Sequence, residues 1–597
     1  MSFQATNPDL SLGNQRPGVY VAVNLAAPGG GVDDIDNRLL IMGYKSSDGT
    51  AAPDTALQVL SEQDVINACG LKSDVRRAFR AAMAQAGPGS IDCFVLPLLE
   101  PSGGTASTYL ISIVAAADAL ANGSIDCSID GRAIVSVGFS LGDTPSTIAT
   151  ALAAAINALD DAPGTAVASS NTVTVTYPHK GDVGEDCPIR VRVNGTGTGI
   201  QASNGSLLFA NAVTTSGSVE IVVCGTTILI AIANSDTAAQ VATKVVNGIN
   251  AGSYPITAAI GATSATVNLF YAPGRDVRRV TASIVTSTVV TVTPTTGTVG
   301  AGQPTLTNAL SNLPAQGGFG YWVCPFVGTQ AIPDTGTLGT IATYVELYAN
   351  GVYQKEQRVH AGAPWPASVL GTIPVGTSPA LTTSPRYAMV WAQDFGVQAY
   401  EVAARIAAAR AANDYPAQNW DGFTLLGSVQ SPLVIPAPAS RPISDVINGA
   451  MGSYYLCPVR ADDPTGTAVI EKATTTSSSA YMPLRDFSTI DQIAFWRSDL
   501  AQYLASLFGD LSAKQVGVPR TPRTITAQSV ADAMYARARD WDAQDLYDGA
   551  DAFKSGFTAA FNQSNPTRID ASFPASPVVC VHQLAVVANL VSPPSAS

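Results

Sequence analysis

The sequence predicts a multidomain chain of α/β and α+β character. An α/β core domain is interrupted by two tandem β-rich (ββαββ) modules, an α+β C-terminal domain follows, and an arm stands at each end. Three observations carry this. At 597 residues the chain is too long for one compact core. Residues 101–300 repeat themselves with a period of about 93 residues. The stretches on either side, 26–100 and 301–440, share the strand–helix–strand pattern of parallel crossovers.

Residues 1–25 read as an N-terminal arm. Met1–Gln15 is polar, and Arg16-Pro17-Gly18 opens a short strand with Val19, Val21 and Val23 on one face and Tyr20 on the other. In the core, Leu39–Gly43 is a buried-strand run and Ser61–Cys69 a short helix. Ser73 caps a helix ending before Gly87, with Val75, Phe79, Ala82, Met83 and Ala86 at helical spacing. Cys93–Leu98 returns as a strand.

The first module, 101–205, contains strands Gly123–Ile129 and Ala133–Val137, then a helix from Asp143 to Ala158. The second, 206–300, contains Gly217–Val223 and Thr227–Ala231, then a helix from Asp236 to Ala251. Asp143 and Asp236 are expected to cap these helices, with Pro145 in the first turn. Strands Thr172–Tyr177 and Ala265–Tyr271 continue the two copies.

The core resumes with strand Gly320–Phe326, an Ala-rich helix Gln398–Asn413 and strand Phe423–Gly427. The C-terminal domain, 441–574, holds strand Ala468–Ala473 and two helices. The first opens on Ser488-Thr489-Ile490-Asp491, a capping-box pattern; the second spans about 527–547. The C-terminal arm, 575–597, carries the apolar run Val578–Val591, an edge hazard unless paired.

Hydrophobic residues make up 46% and charged residues only 13%. That charge share is about half the usual one, and Ala, Thr, Ser, Gly and Val fill the difference. The mixture suits β-rich modules and close-packed assemblies. The net charge is −13 and no Lys/Arg block occurs, which argues against nucleic-acid binding. Eight cysteines are scattered without CxxC or metal-ligand spacing and read as buried, reduced thiols. Met1–Arg16 has no apolar signal core, and no run of ~20 apolar residues exists, so neither secretion nor a membrane span is expected.

Candidate chemistry is sparse. Gly138-Phe139-Ser140-Leu141-Gly142 matches GxSxG between a strand and a helix. The matching position of the second copy is Ala233, and Ser140 stands too far before the helix for a tight nucleophile elbow. The three histidines, His179, His360 and His582, are widely separated. Gly195, Gly197 and Gly199 lack phosphate-loop spacing and read as a linker. Gly29–Gly31 with Asp33, Asp34 and Asp36 reads as a solvated loop. No catalytic, cofactor-binding or metal residue is assigned.

Stretches in order along the chain resemble the contractile tail sheath proteins of Mu-like phages. They are Arg16–Val23; Gly43 with Gly49–Pro53 and Ser61–Gly70; the paired Asp-Thr helices ending in Ile-Asn-Ala; Tyr177–Asp182 with Cys187–Val191; Gly300–Thr307; Val469–Thr475; and Thr489–Tyr503. Gly184-Glu185-Asp186 departs from the family, which often carries an aromatic there.

The resemblance implies a structural subunit rather than an enzyme, with no cofactor. It would assemble in the host cytoplasm and stand in the virion tail as a six-fold helical homo-oligomer. Its partners would be copies of itself, the tail tube protein, and the baseplate and tail terminator proteins, with no nucleic acid and no membrane insertion. Contraction would drive the tube through the host envelope, by release of energy stored in less favourable contacts. The C-terminal domain would face the tube and the modules face outward. Strands added to a neighbour's sheet would keep sliding subunits joined. Inter-subunit strand exchange is therefore expected at Val19, Tyr20, Val21, Val23, Val578, Val579, Val581, Leu584, Val586, Val587 and Leu590. The alternative is that both strands complete their own chain's sheets. A pyocin-like or type VI-like sheath and a tail-surface adhesin are the other readings.

Overall fold

The first strand, β1 (Leu39–Tyr44), has every residue buried, as an unbroken apolar run must when both faces of a parallel sheet are covered. This computed structural model describes residues 37–579 apart from internal stretches, the longest being 364–383 and 427–455. The expected strand Val19–Val23, the loop Gly29–Asp36 and the run from Cys580 to Val591 lie outside the described residues.

From β1 the chain passes through β2 (Leu57–Val59), α1 (Glu62–Cys69) and α2 (Asp74–Ala86) to β3 (Cys93–Leu98), parallel to β1. Ser61 and Ser73 cap the helices, each hydroxyl accepting the N–H three residues on.

The chain then leaves this sheet through β4 (Ala106–Val114), β5 (Gly123–Ile129), β6 (Val135–Phe139), α3 (Pro145–Asn157), β7 (Thr165–Ser169), β8 (Thr172–Lys180) and β9 (Ile189–Asn194). It continues through β10 (Gln201–Ala210), β11 (Gly217–Val223), β12 (Thr226–Ile232), α4 (Ala238–Asn250), β13 (Ile256–Ile260), β14 (Thr266–Tyr271), β15 (Asp276–Val277), β16 (Thr281–Val285) and β17 (Thr291–Thr295). One sheet runs β13-β14-β10-β4-β8-β7, with β17 also beside β10. β4 and β10 meet antiparallel at its middle.

The same hydrogen bonds recur along this stretch. Asn157 Nδ2 donates to Ala166 O (2.7 Å) and Ala166 N to Asn157 Oδ1 (2.8 Å). Asn250 and Ala258 repeat the pair at 2.7 and 2.8 Å. The helix caps are Thr144 and Thr237, one residue later than the expected Asp143 and Asp236. The threonine hydroxyls take the Thr147 and Gln240 N–H groups. The aspartates turn back to the N–H groups of Ser140 (2.6 Å) and Ala233 (2.7 Å) and so close the loops instead. Gly195, Gly197 and Gly199 all have positive φ, a conformation cheap only for glycine, in the turn between β9 and β10.

After α5 (Thr307–Asn312) the chain returns as β18 (Tyr321–Cys324), α6 (Thr335–Tyr348), β19 (Arg358–Ala363), β20 (Tyr387–Trp391), α7 (Ala399–Ala411), β21 (Thr424–Leu425), β22 (Cys457–Ala461) and β23 (Ala468–Ile470). These join the first strands in a nine-stranded sheet, β2-β3-β1-β18-β19-β20-β22-β23-β21. The pairs from β3 to β22 are parallel, and both edges are antiparallel.

The sheet therefore extends beyond residue 440, where the sequence suggested a boundary. β22 is recruited by pairing with β20, a partner that no local pattern signals. α7 is buried on every side, between this sheet and α2. Its alanines and Gly362 of β19 allow the close approach; a Cβ at Gly362 would run into the main chain of Tyr400.

The last part comprises α8 (Phe487–Phe508), β24 (Ser512–Ala513), β25 (Thr524–Ile525), α9 (Ala527–Asp542), β26 (Thr558–Phe561) and β27 (Ile569–Ser572). It has its own core around Trp496, Trp541 and Tyr547. α8 already runs through Phe487, so Ser488 is not its cap. The Asp491 carboxylate is taken by Arg358 (2.6 Å) and Arg410 (2.7 Å), two guanidinium ions that outcompete a main-chain N–H. α9 ends at Asp542, earlier than expected, where Leu546 N bonds Trp541 O.

Candidate assembly site

The residues with nominal chemistry do not converge. Ser140 sits on an exposed loop with its N–H held by Asp143. His179 Nδ1 lies 2.8 Å from Glu100 Oε1 and its Nε2 3.2 Å from Lys72 O. His360 is fully buried, with Nδ1 3.3 Å from Trp322 O and Nε2 3.0 Å from Arg410. His582 lies outside the described residues. Six described cysteines are free and buried, and burial pushes Cys69, Cys127 and Cys457 up to about 12. No metal-holding cluster occurs among the described residues, and no described helix is long and apolar enough to cross a membrane.

The sheet itself has the feature that in open α/β sheets marks a ligand crevice. From β1 the chain goes first to β3 on one side and later to β18 on the other, so strand order reverses between β1 and β18. Here the inserted stretch fills that position. Tyr44, which ends β1, packs against Phe326 just after β18 and against His179 at the end of β8 (ring centroids 5.0 and 5.8 Å). Gly181 lies so close to the Tyr44 hydroxyl that an added Cβ would sit 2.9 Å from it. The place where a nucleotide would bind is plugged by protein.

Beside this plug a buried polar junction ties the insertion to the core. Arg77 Nη2 donates to Asp74 and to the Tyr177 hydroxyl, and its Nε donates to the Tyr400 hydroxyl at 2.9 Å. The Tyr177 oxygen lies 2.6 Å from Asp74 Oδ1 and 2.9 Å from Gln398 Oε1. Burial opposes the Arg77 charge, but Tyr177, Tyr400, Asp74 and Asp130 outweigh it and hold the guanidinium above its ordinary pKa.

The N-terminus of α7 is capped from the insertion. Ala399 N donates to Asp186 Oδ2 (2.6 Å), Gln398 N to Asp130 Oδ1 (3.2 Å) and Gln398 Nε2 to Val183 O (2.7 Å). The neck is closed by main-chain pairing of Thr105 with Ala301 (2.9 and 3.1 Å). Gly184-Glu185-Asp186, where the sequence departs from its look-alikes, lies inside this junction: Gly300 N donates to Glu185 Oε1 (2.7 Å).

Of the residues expected at inter-subunit strands, Val19, Tyr20, Val21, Val23, Val581, Leu584, Val586, Val587 and Leu590 lie outside the described residues. Val578 and Val579 are described and belong to no strand. The segment leading to them is tied at alternate residues. The Tyr547 hydroxyl donates to Pro574 O, Asp548 N donates to Ser576 O (2.9 Å), and Gln492 takes both main-chain groups of Val578. Alternation with period two is what an extended chain offers along one edge. Among the described residues, the intervening Ala575 and Val579 make no main-chain hydrogen bond and Val579 is 50% exposed, whereas Pro577 between them is buried and has no N–H to offer. Sequence reasoning gave no role to Gln492, Tyr547, Arg77 or Asp186, although Gln492 and Asp186 lie in stretches it singled out, because the partners of all but Arg77 with Asp74 are remote in sequence.

No protein-family model matches the chain, and no curated protein matches it. Among solved structures it is similar to a sheath tail protein from Desulfitobacterium hafniense (11% identity, TM-score 0.39, covering 94% of this chain and 97% of that one). It is similar to a sheath tail protein from Listeria innocua (11%, TM-score 0.40, covering 93% and 94%). A chain of the six-fold symmetrised anti-feeding prophage baseplate covers 48% of this chain and 73% of its own length, at 10% identity and TM-score 0.32.

Proposed function

We propose that the chain is a structural subunit of a contractile tail sheath of the Mu-like phage type, polymerising around a tail tube and contracting against a baseplate. The observation that carries this reading is the extended segment 574–578, tied along one edge and leading into an apolar run. Past the buried Pro577 the chain is exposed at Val579, and from there an unpaired edge is suited to strand addition, which links copies while letting bodies rotate. The ordered resemblance along nearly the whole sequence supports it. So does the plugged crevice, which suits a device driven by stored contact energy rather than by a bound nucleotide. In this reading residues 101–205 and 206–300 are outer modules, the part after β23 as far as residue 574 faces the tube, and the segments around Val19–Val23 and Val578–Val591 pair with other copies.

The test is negative-stain microscopy of the purified protein with and without residues 578–597. The full chain should form hollow tubes, while the shortened chain should keep its far-UV dichroism and melting behaviour yet form none. Normal tubes from the shortened chain would refute the strand-exchange assignment.

A further inference from the structure

The geometry points to Gln492 as a positioning residue for assembly: its carboxamide fixes where, and in what direction, the C-terminal segment leaves the body. This rests on the reading above, that the segment beyond Val578 joins another copy.

Gln492 is fully buried on α8. Its Oε1 accepts the Val578 N–H and its Nε2 donates to Val578 O, both at 2.9 Å. A carboxamide has the donor and acceptor of a peptide group, so this pair of bonds is an isolated β-bridge with a side chain in place of one strand. It can form only when the N–H and C=O of one residue point the same way, as they do in extended backbone.

The same device occurs twice elsewhere in the chain, and its outcome there is visible. Asn157 grips Ala166 within β7, and Asn250 grips Ala258 within β13. In both, the amide at a helix end fixes the register of a strand at the margin of a sheet. Gln492 does this for a segment whose other edge has no partner among the described residues.

The grip is itself rigidly mounted. The neighbouring Asp491 is bound by Arg358 and Arg410 of the core sheet and α7, and Arg497, further along α8, donates to Ala349 O (3.0 Å). A path of buried polar contacts therefore runs from the nine-stranded sheet through α8 to Val578. In a helical array a small error in the direction of a linking segment is repeated at each subunit, so fixing that direction matters more than the strength of one bond.

The experiment compares wild type, Q492M and V578P. Methionine keeps the volume and removes both bonds to Val578, together with a longer one from Nε2 to Ser488 O (3.3 Å); proline at 578 removes the N–H from the other partner and leaves Gln492 in place. Both variants should stay folded with a melting temperature lowered by a few degrees, as each leaves a buried polar group unpaired. In Q492M, hydrogen exchange at the Val578 amide should rise about tenfold, the size expected for losing this pairing. Both should form fewer or irregular tubes.

Unchanged Val578 exchange in Q492M, or wild-type tubes from both variants, would overturn the inference. Wild-type protein that never forms tubes would instead sink the sheath reading and the positioning role with it. The Val578 exchange would still report whether Gln492 holds the segment.

Discussion

His360 shows how one buried side chain links stability to pH. Arg410 can only donate, so the His360 Nε2 facing it at 3.0 Å must accept, leaving Nδ1–H for Trp322 O at 3.3 Å. Burial first, and Arg410 second, hold its pKa well below the ordinary 6.5. The unfolded chain binds this proton below about pH 6.5 and the folded chain does not, so the contribution is intact above that pH and is lost as pH falls through it. The slope is roughly 1.4 kcal/mol per pH unit. Urea unfolding at pH 7.5 and 5.5 should show this loss, and H360Q, which can satisfy both partners uncharged, should flatten it. An equal pH dependence in H360Q would exclude His360 as the source.

Elements are held by devices of which the sequence displays only some. The run Leu39–Gly43 announces β1 because burial on both faces demands an apolar residue at every position. Ser61 and Ser73 announce α1 and α2 because a cap acts within one turn. The same local logic misplaced the caps of α3 and α4 by a residue, since Asp-Thr offers two acceptors and only packing decides which serves the helix. It also misread Ser488–Asp491, because the true partners of Asp491 are Arg358 and Arg410, distant in sequence. The run from Val578 was legible as an apolar terminus, but its tether was not, since Gln492 lies 86 residues away.

The matching clamps at Asn157 and Asn250 give a direct comparison. N157A and N250A should each cost about 1–3 kcal/mol, the penalty for leaving partly buried main-chain groups unpaired. Thermal melts of the two single variants should agree within about 0.5 kcal/mol if the sites are energetically equivalent. A large disparity would show that surrounding packing dominates.

At the scale of the whole molecule, the core sheet is assembled from both flanks of the insertion: β1 lies directly beside β18. Replacing residues 107–299 by a short turn should therefore leave the nine-stranded sheet able to form. Stability should fall, because Arg77, Gln398 and the Ala399 N–H would lose Tyr177, Asp130 and Asp186. Tryptophan fluorescence during urea unfolding would read this from Trp322, Trp391 and Trp420, all buried in the core. A product with no cooperative transition would mean that the insertion is required for the core to fold.

Thr105 and Ala301 sit side by side where the inserted chain departs and comes back. Cα atoms in such a pair are about 5 Å apart, so the core experiences everything between them as a single closed loop of nearly constant width. That makes the neck a natural socket for grafting. A foreign domain with adjacent termini could be carried there, and in the proposed sheath each copy would then display one cargo at a regular spacing.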